Sequence, residues 1–371
     1  MPDPGEDMSD TAALRRAGVR RGRIAGIDLA RALAILGMLA VHVGPTDADG
    51  LAGTLYGLTH GRAAILFGLL AGVGVSLLAS SRGTSVGRTR VRLLWRALIL
   101  LPLGLALQGL DHNVFVILQD YALLFVLGAM VLTVPDRWLL WLAGLSWVAG
   151  SVGYLWGLID FPDAFARVAA TWGDPVGVLL HRLVLSGPYP LITWSAPFLL
   201  GMWLGRRDLR SRTASRDLRV AGAVAALTAF ALSKGLVAVL GDPGEEIGWR
   251  RLVIDDAHSQ MPLWLLGATG AAVLVLGASL WLAAAVGRGA WPLVAVGQLA
   301  FTVYVAHLLA LHWYREALTS DAVGAASAIV LGFTLAATIF ATAWRAVLSR
   351  GPLESVLHLP ALVLRHRDGA G

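Results

Sequence analysis

The chain has 371 residues, 57% hydrophobic and only 15% charged, where a soluble domain averages ~25% charged and ~45–50% apolar. With a mean hydropathy of +0.69, this composition excludes an ordinary soluble domain. The net charge of +6 does not mark a nucleic-acid binder, because the basic residues cluster between apolar runs where topology needs them; the absence of cysteine excludes disulfides and thiolate metal sites.

A bilayer is crossed by ~20 mostly apolar residues. The apolar runs predict spans at 24–44, 62–81, 93–110, 114–134, 138–157, 187–205, 220–240, 262–286, 290–313 and 322–347. The expected fold is an all-α, polytopic transmembrane bundle of about ten helices with both termini cytoplasmic. It divides into a basic cytoplasmic tail over 1–23, a transmembrane domain over 24–347 and a cytoplasmic tail over 348–371. The orientation follows from arginines on alternate loops: Arg15, Arg16, Arg20, Arg21 and Arg23; Arg82, Arg88, Arg90 and Arg92; Arg206 through Arg219; and Arg350, Arg365 and Arg367. The opposite loops are acidic or mixed, with Asp47 and Asp49, Asp160, Asp163 and Asp174, and Glu245, Glu246, Asp255 and Asp256.

The first span carries Asp28, Arg31 and His42. A cleaved signal peptide has a cleaner apolar core, so this segment reads as a retained helix. At ~100° per residue the three side chains share one stripe. Asp28 and Arg31 are spaced to pair at i, i+3, either as a structural ion pair or as part of a site. His42 lies ~21 Å further along. His60-Gly61-Arg62 closes the first outer loop. Gly68, Gly72 and Gly74 in the second span point to close helix packing. His112 lies in the next outer turn, and the fourth span carries Gln119-Asp120-Tyr121. An aspartate at that depth needs a partner; His42, His60 and Arg62 are the candidates, against a hydrogen-bond network that only fixes packing. In the long outer segment 158–186, Val176 to Leu185 reads as an interfacial amphipathic helix containing His181 and Arg182. In the ninth span Gln298 and Thr302 share one face, while Tyr304 and His307 pair at i, i+3 on another.

His42, His60, His112, His181, His258, His307 and His312 all map to the outer half; His358 and His366 fall in the tail. Histidine is the usual general base near neutral pH, so this cluster points to proton transfer or recognition at the outer face. No Walker loop, dinucleotide fingerprint or HExxH is present.

Several segments together resemble one family. These are Arg23-Ile-Ala-Gly-Ile-Asp28-Leu-Ala-Arg31 through His42; His60-Gly-Arg62 through Phe67 and Gly72; Ile117-Leu-Gln119-Asp120-Tyr121; Tyr189-Pro-Leu-Ile-Thr-Trp194 through Gly201 and Gly205; Pro292 through Gly297-Gln298, Thr302 and Tyr304; and Gly351-Pro-Leu-Glu354. In this order they resemble the transmembrane acyltransferases, which include the bacterial YeiB-like proteins and the heparan-alpha-glucosaminide N-acetyltransferase catalytic domain. Where the eukaryotic branch has an Asn in the first helix this chain has His42; no histidine stands at that branch's spacing in the first outer loop, where the only histidine is His60.

The resemblance implies a multi-pass protein of the inner (plasma) membrane. It would move an acyl group, expected to be acetyl, from cytoplasmic acetyl-CoA or another acyl-CoA to a glycan or lipid-linked acceptor at the outer face. No metal is implied, and a homodimer is the protein assembly considered. On this reading Arg31, Arg88, Arg92 and Arg96 bind the anionic part of the acyl-CoA. His42 or His60 acts as base or carries the acyl group, Asp120 orients that histidine, and Arg62 stabilises developing negative charge. Asp28, His112, Gln119, Trp194, Tyr304 and His307 contact substrate. A transporter or flippase would use similar intramembrane residues, and a non-catalytic scaffold would tolerate their loss.

Overall fold

The computed structural model describes residues 23–44, 50–81, 84–320 and 322–359. Arg15, Arg16, Arg20, Arg21, Asp47, Asp49, Arg82, Arg365, His366 and Arg367 lie outside them. The described residues are helical, without strands: α1 Ala25–Val43, α2 Gly50–Gly57, α3 Arg62–Ala79, α4 Val86–Gln108, α5 Leu118–Met130, α6 Asp136–Asp160, α7 Val176–Ser186, α8 Leu191–Leu204, α9 Arg212–Leu240, α10 Pro262–Val286, α11 Trp291–Gln298, α12 Ala300–Leu318, α13 Val323–Val347 and α14 Pro352–Val356.

Local chemistry sets the ends of these helices. The Ser85 and Ser211 hydroxyls accept the Arg88 and Ala214 amides and so cap α4 and α9. Pro262 opens α10, where its missing N–H costs nothing. Gly287 follows α10 with φ +57° and lets the chain turn back. That reversal is visible in the packing. Leu280 and Gly297 both lie against the first turn of α1, at Gly26 and Asp28, so α10 runs toward that end and α11–α12 runs away from it.

The core is built on α1, α3, α8 and α10, with Ile35, Ile65, Leu69, Phe198 and Leu276 essentially inaccessible. Backbones approach closely where side chains vanish. A Cβ at Gly72 would strike the Phe198 carbonyl and one at Gly201 the Leu69 carbonyl, locking α3 to α8. Gly68 and Gly74 have open space around their Cβ positions, so of the three expected packing glycines only Gly72 acts as one. Peripheral α9 and α13 expose Val220, Val224, Leu227, Leu331, Leu335 and Ile339, the apolar surface that lipid would cover.

Seven stretches among the described residues are long and apolar enough to cross a membrane, or eight if α7 and α8, bent by 57° at their junction, form one span. This differs from the ten expected spans at three places. The 114–134 run shrinks to the 13 residues of α5, because 113–117 is an extended loop fixed by Gln108 and Tyr304. The 187–205 run shrinks to the 14 residues of α8, with Pro190 at its start. The 290–313 run breaks at Leu299. The Val176 segment is not an isolated surface helix: Leu183 is buried against Leu105 and Ala170, and Arg182 pairs with Asp174 at 2.6 Å.

Candidate functional site: a histidine cavity and an Asp28 network

The polar residues of α1 separate into two groups at opposite ends of the bundle. At the N-terminal end of α1, Asp28 is only 3% exposed and is saturated with donors. Its oxygens accept from Arg31 Nη1 at 2.6 Å, Arg23 Nε at 2.8 Å and Gln298 Nε2 at 3.2 Å. Gln298 Oε1 in turn accepts from Arg345 Nε at 2.6 Å, so one carboxylate ties α1, α11 and α13 together. A second carboxylate works nearby. Glu354 of α14 accepts the Thr302 amide at 3.0 Å and hydroxyl at 2.6 Å. The break at Leu299 leaves the first amides of α12 without intrahelical acceptors, and Glu354 supplies one. The Gly-Pro-Leu-Glu stretch is thereby explained as a cap for a broken helix.

Four arginines are expected to bind acyl-CoA. Arg31 and Arg92 each lie within electrostatic reach of Arg96. Arg96 sits 5.8 Å over the Phe125 ring, and its buried Nε has no hydrogen-bond partner. Arg31 is partly committed to Asp28. Arg88 stands in the first turn of α4. The α14 segment packs over this region, with Trp95 Nε1 donating to the Val356 carbonyl at 2.9 Å.

The other end holds the histidines. His42, at the last turn of α1, places Nδ1 3.0 Å from Nε2 of His307 on α12; the rings stack at 5.2 Å and 12°. Tyr304 packs edge-on against His307 at 5.1 Å, as the i, i+3 spacing predicts. The Ile117 amide donates to the Tyr304 hydroxyl. His42 and Tyr304 line a cavity of about 30 Å³ together with Met38, Thr59, Phe115, Tyr189 and His258. That volume holds a water molecule or two. It is too small for a sugar or a thioester.

His258 lines the same cavity as His42. It stacks near Trp194 at 6.2 Å and meets Tyr189, Trp264 and His60 at 5.4–5.7 Å. Burial pushes its imidazole well below the ordinary histidine range, with Arg167 and His60 adding to the effect. Its backbone is left-handed, φ +59°, as is that of Gln260 at +64°. Each such residue costs about 1–3 kcal/mol. The buried Gln260 side chain holds this strained turn. Its Oε1 accepts from Trp194 Nε1 at 3.0 Å and Thr193 Oγ1 at 2.9 Å, and its Nε2 donates to the Pro188 and His258 carbonyls.

Other expected residues fall elsewhere. Asp120 does not meet His42, His60 or Arg62; its Oδ2 is buried without a hydrogen-bond partner, within electrostatic reach of Tyr189 and Tyr304. The partner of His42 is His307, because α12, not α5, crosses beside the end of α1 at that level. Arg62 faces away from the His42 cavity. Its Nη1 donates to the Gly57 and Leu58 carbonyls, and it lines a separate space of about 60 Å³ with Asp255 and Trp264. His112 is a loop anchor. The Val114 amide donates to its Nδ1 and its Nε2 donates to the Leu107 carbonyl, and burial holds it below the ordinary histidine range. Gln119 donates to the Ala170 carbonyl at 3.4 Å. His60 reaches the site through His258.

Sequence reasoning missed Tyr189 and Gln260. Tyr189 stood inside the Tyr-Pro-Leu-Ile-Thr-Trp stretch that signalled its importance. Gln260 has no such signal, because its role exists only once α8 and the 254–261 loop meet.

Two family models match the chain: residues 170–345 match an acyltransferase domain, and residues 23–235, more than half of the chain, match the heparan-alpha-glucosaminide N-acetyltransferase catalytic domain. No curated protein matches it.

Proposed function

We propose, from the premise that this chain belongs to the transmembrane acyltransferase family of the heparan-alpha-glucosaminide N-acetyltransferase catalytic domain, that it acylates an envelope glycan or lipid-linked sugar with His42 as its central proton-transfer residue. The observation that carries the assignment is the His42–His307 contact at the wall of a small cavity. A base needs a second group to fix its orientation, and His307 does this through Nδ1, leaving Nε2 of His42 for the reacting atoms.

The donor is acetyl-CoA or another acyl-CoA entering from the Asp28 end, where Arg31, Arg88, Arg92 and Arg96 supply positive charge for its phosphates. Those arginines also suit a purely topological role. The acceptor arrives from the His42 end. Its oxygen or nitrogen forms a bond to the thioester carbonyl carbon as the C–S bond breaks, and His42 moves the released proton to the departing thiolate. The Tyr304 hydroxyl already accepts the Ile117 amide, so its own proton is available for the developing oxyanion, the part first sought in Arg62. In this reading the ten-span count holds, with α5, α7–α8 and α11–α12 as short or broken spans, both termini in the cytoplasm and the chain in the plasma membrane.

Transfer of radiolabel from acetyl-CoA in membranes containing the protein tests this. Wild type is expected to label an envelope glycan or lipid, His42→Ala to lose the label, and His60→Ala to keep most of it. No protein-dependent label from acetyl-, propionyl- or succinyl-CoA would favour a transporter instead.

A further inference from the structure

His258 is nine-tenths buried, lines the same cavity as His42, and carries a buried Nδ1 with no hydrogen-bond partner. Packing alone does not account for it. A core position that needs only an aromatic ring takes Phe or Tyr, whereas an unsatisfied buried imidazole nitrogen is costly. The loop that carries it is not relaxed either. Two non-glycine residues in three adopt left-handed backbone, and the Gln260 side chain ties the turn to Thr193, Trp194 and Pro188 and to its own His258 carbonyl. Four aromatic rings fix the imidazole plane. The two histidines also come from different parts of the chain: His42 ends α1, which leads back to the arginine cluster, while His258 and Tyr189 lie in connecting segments.

We propose that His258 is a second catalytic residue, receiving the proton of the acceptor's hydroxyl or amine while His42 protonates the leaving thiolate, and that Gln260 is the positioning residue that aims it. This rests on the acyl-transfer reading above and divides between two histidines the task given there to one. The acceptor's oxygen or nitrogen bonds to the acyl carbon and its proton goes to His258. The proton then crosses the cavity, which has room for a bridging water, to His42, and as the C–S bond breaks His42 passes it to the sulfur.

The test is label transfer from radiolabelled acetyl-CoA by the full chain in membranes, with melting temperature measured on the same preparations. His258→Ala is expected to lower the rate about 100-fold and to recover with added imidazole, which fits the space vacated. His258→Gln is expected to be equally slow and to ignore imidazole. Gln260→Leu is expected to slow transfer while leaving the KM for acetyl-CoA unchanged, since it acts on aim and not on donor binding. Two results would overturn the proposal: His258→Gln within about threefold of wild type, or a His258→Ala protein that melts normally, is slow, and does not respond to imidazole. If His42→Ala stays active, the underlying acyl-transfer assignment fails; if His42→Ala is inactive and His258→Gln active, only the division of labour fails.

Discussion

Asp28 and His42 stand on one helix, on one stripe, and are used in opposite ways. Asp28 is enclosed by three donors, two from the 23–31 stretch and one from α11, with a chain of bonds leading on to Arg345. At the His42 end, His42 has one side-chain hydrogen-bond partner among the described residues, His307, while Asp120 Oδ2 and His258 Nδ1 are buried with none. A saturated buried charge has no capacity left for a ligand. An undersaturated buried group is costly in the resting state, and is a group that a substrate can satisfy. Membrane burial sharpens this contrast, because lipid offers no water to fill an empty valence.

The contrast can be broken from either end. The largest effect belongs to His42→Ala, which should cut acyl transfer ~10²–10⁴-fold with little change in melting temperature, as measured by label transfer per folded molecule. Asp28→Asn should do the reverse. It removes the charge that Arg23 and Arg31 pair with, and a hydrogen bond to a charged group is worth about 1.5–3 kcal/mol; thermal unfolding should show the loss while the surviving folded protein still transfers label.

How far the sequence carried these assignments differs between the two ends. The Asp28–Arg31 pair and the Tyr304–His307 pair are i, i+3 relations, and local helical geometry is enough to read them. The His42–His307 contact joins residues 265 positions apart, and nothing in periodicity links them. The same limit misassigned Asp120. Its depth in the bundle was legible, but which helix crosses beside α1 at that depth was not. The fold class followed from apolar runs, whereas the exact spans did not. Hydropathy cannot register that residues 113–117 are consumed by hydrogen bonds to Gln108 and Tyr304, or that Leu299 breaks a helix whose exposed amide Glu354 then accepts.

That cap supplies a smaller prediction. Glu354→Gln keeps the shape but weakens a charged cap, and should destabilise the protein by ~1 kcal/mol, read as a modest fall in melting temperature with transfer intact.

The smallest expected effect concerns His358. Its imidazole is pushed down to about 4 by burial and by Arg96, Arg350, Arg23 and Arg92. The unfolded ring titrates near ~6.5, so the undocked tail binds the proton more readily. Docking of the 352–358 segment is therefore strongest above ~pH 6.5 and weakens as pH falls toward 4. Because the chain has no cysteine, a single dye on Leu359→Cys can report this as falling anisotropy on acidification. His358→Gln should flatten the profile.

The most direct test places His42→Ala and Asp28→Asn side by side in the same membranes, with acyl transfer from radiolabelled acetyl-CoA normalised to folded protein. The account predicts a stable, inactive His42 variant and an unstable Asp28 variant that retains activity per folded molecule. A stable Asp28 variant without activity, beside an active His42 variant, would contradict it and move the chemistry to the opposite end of the bundle.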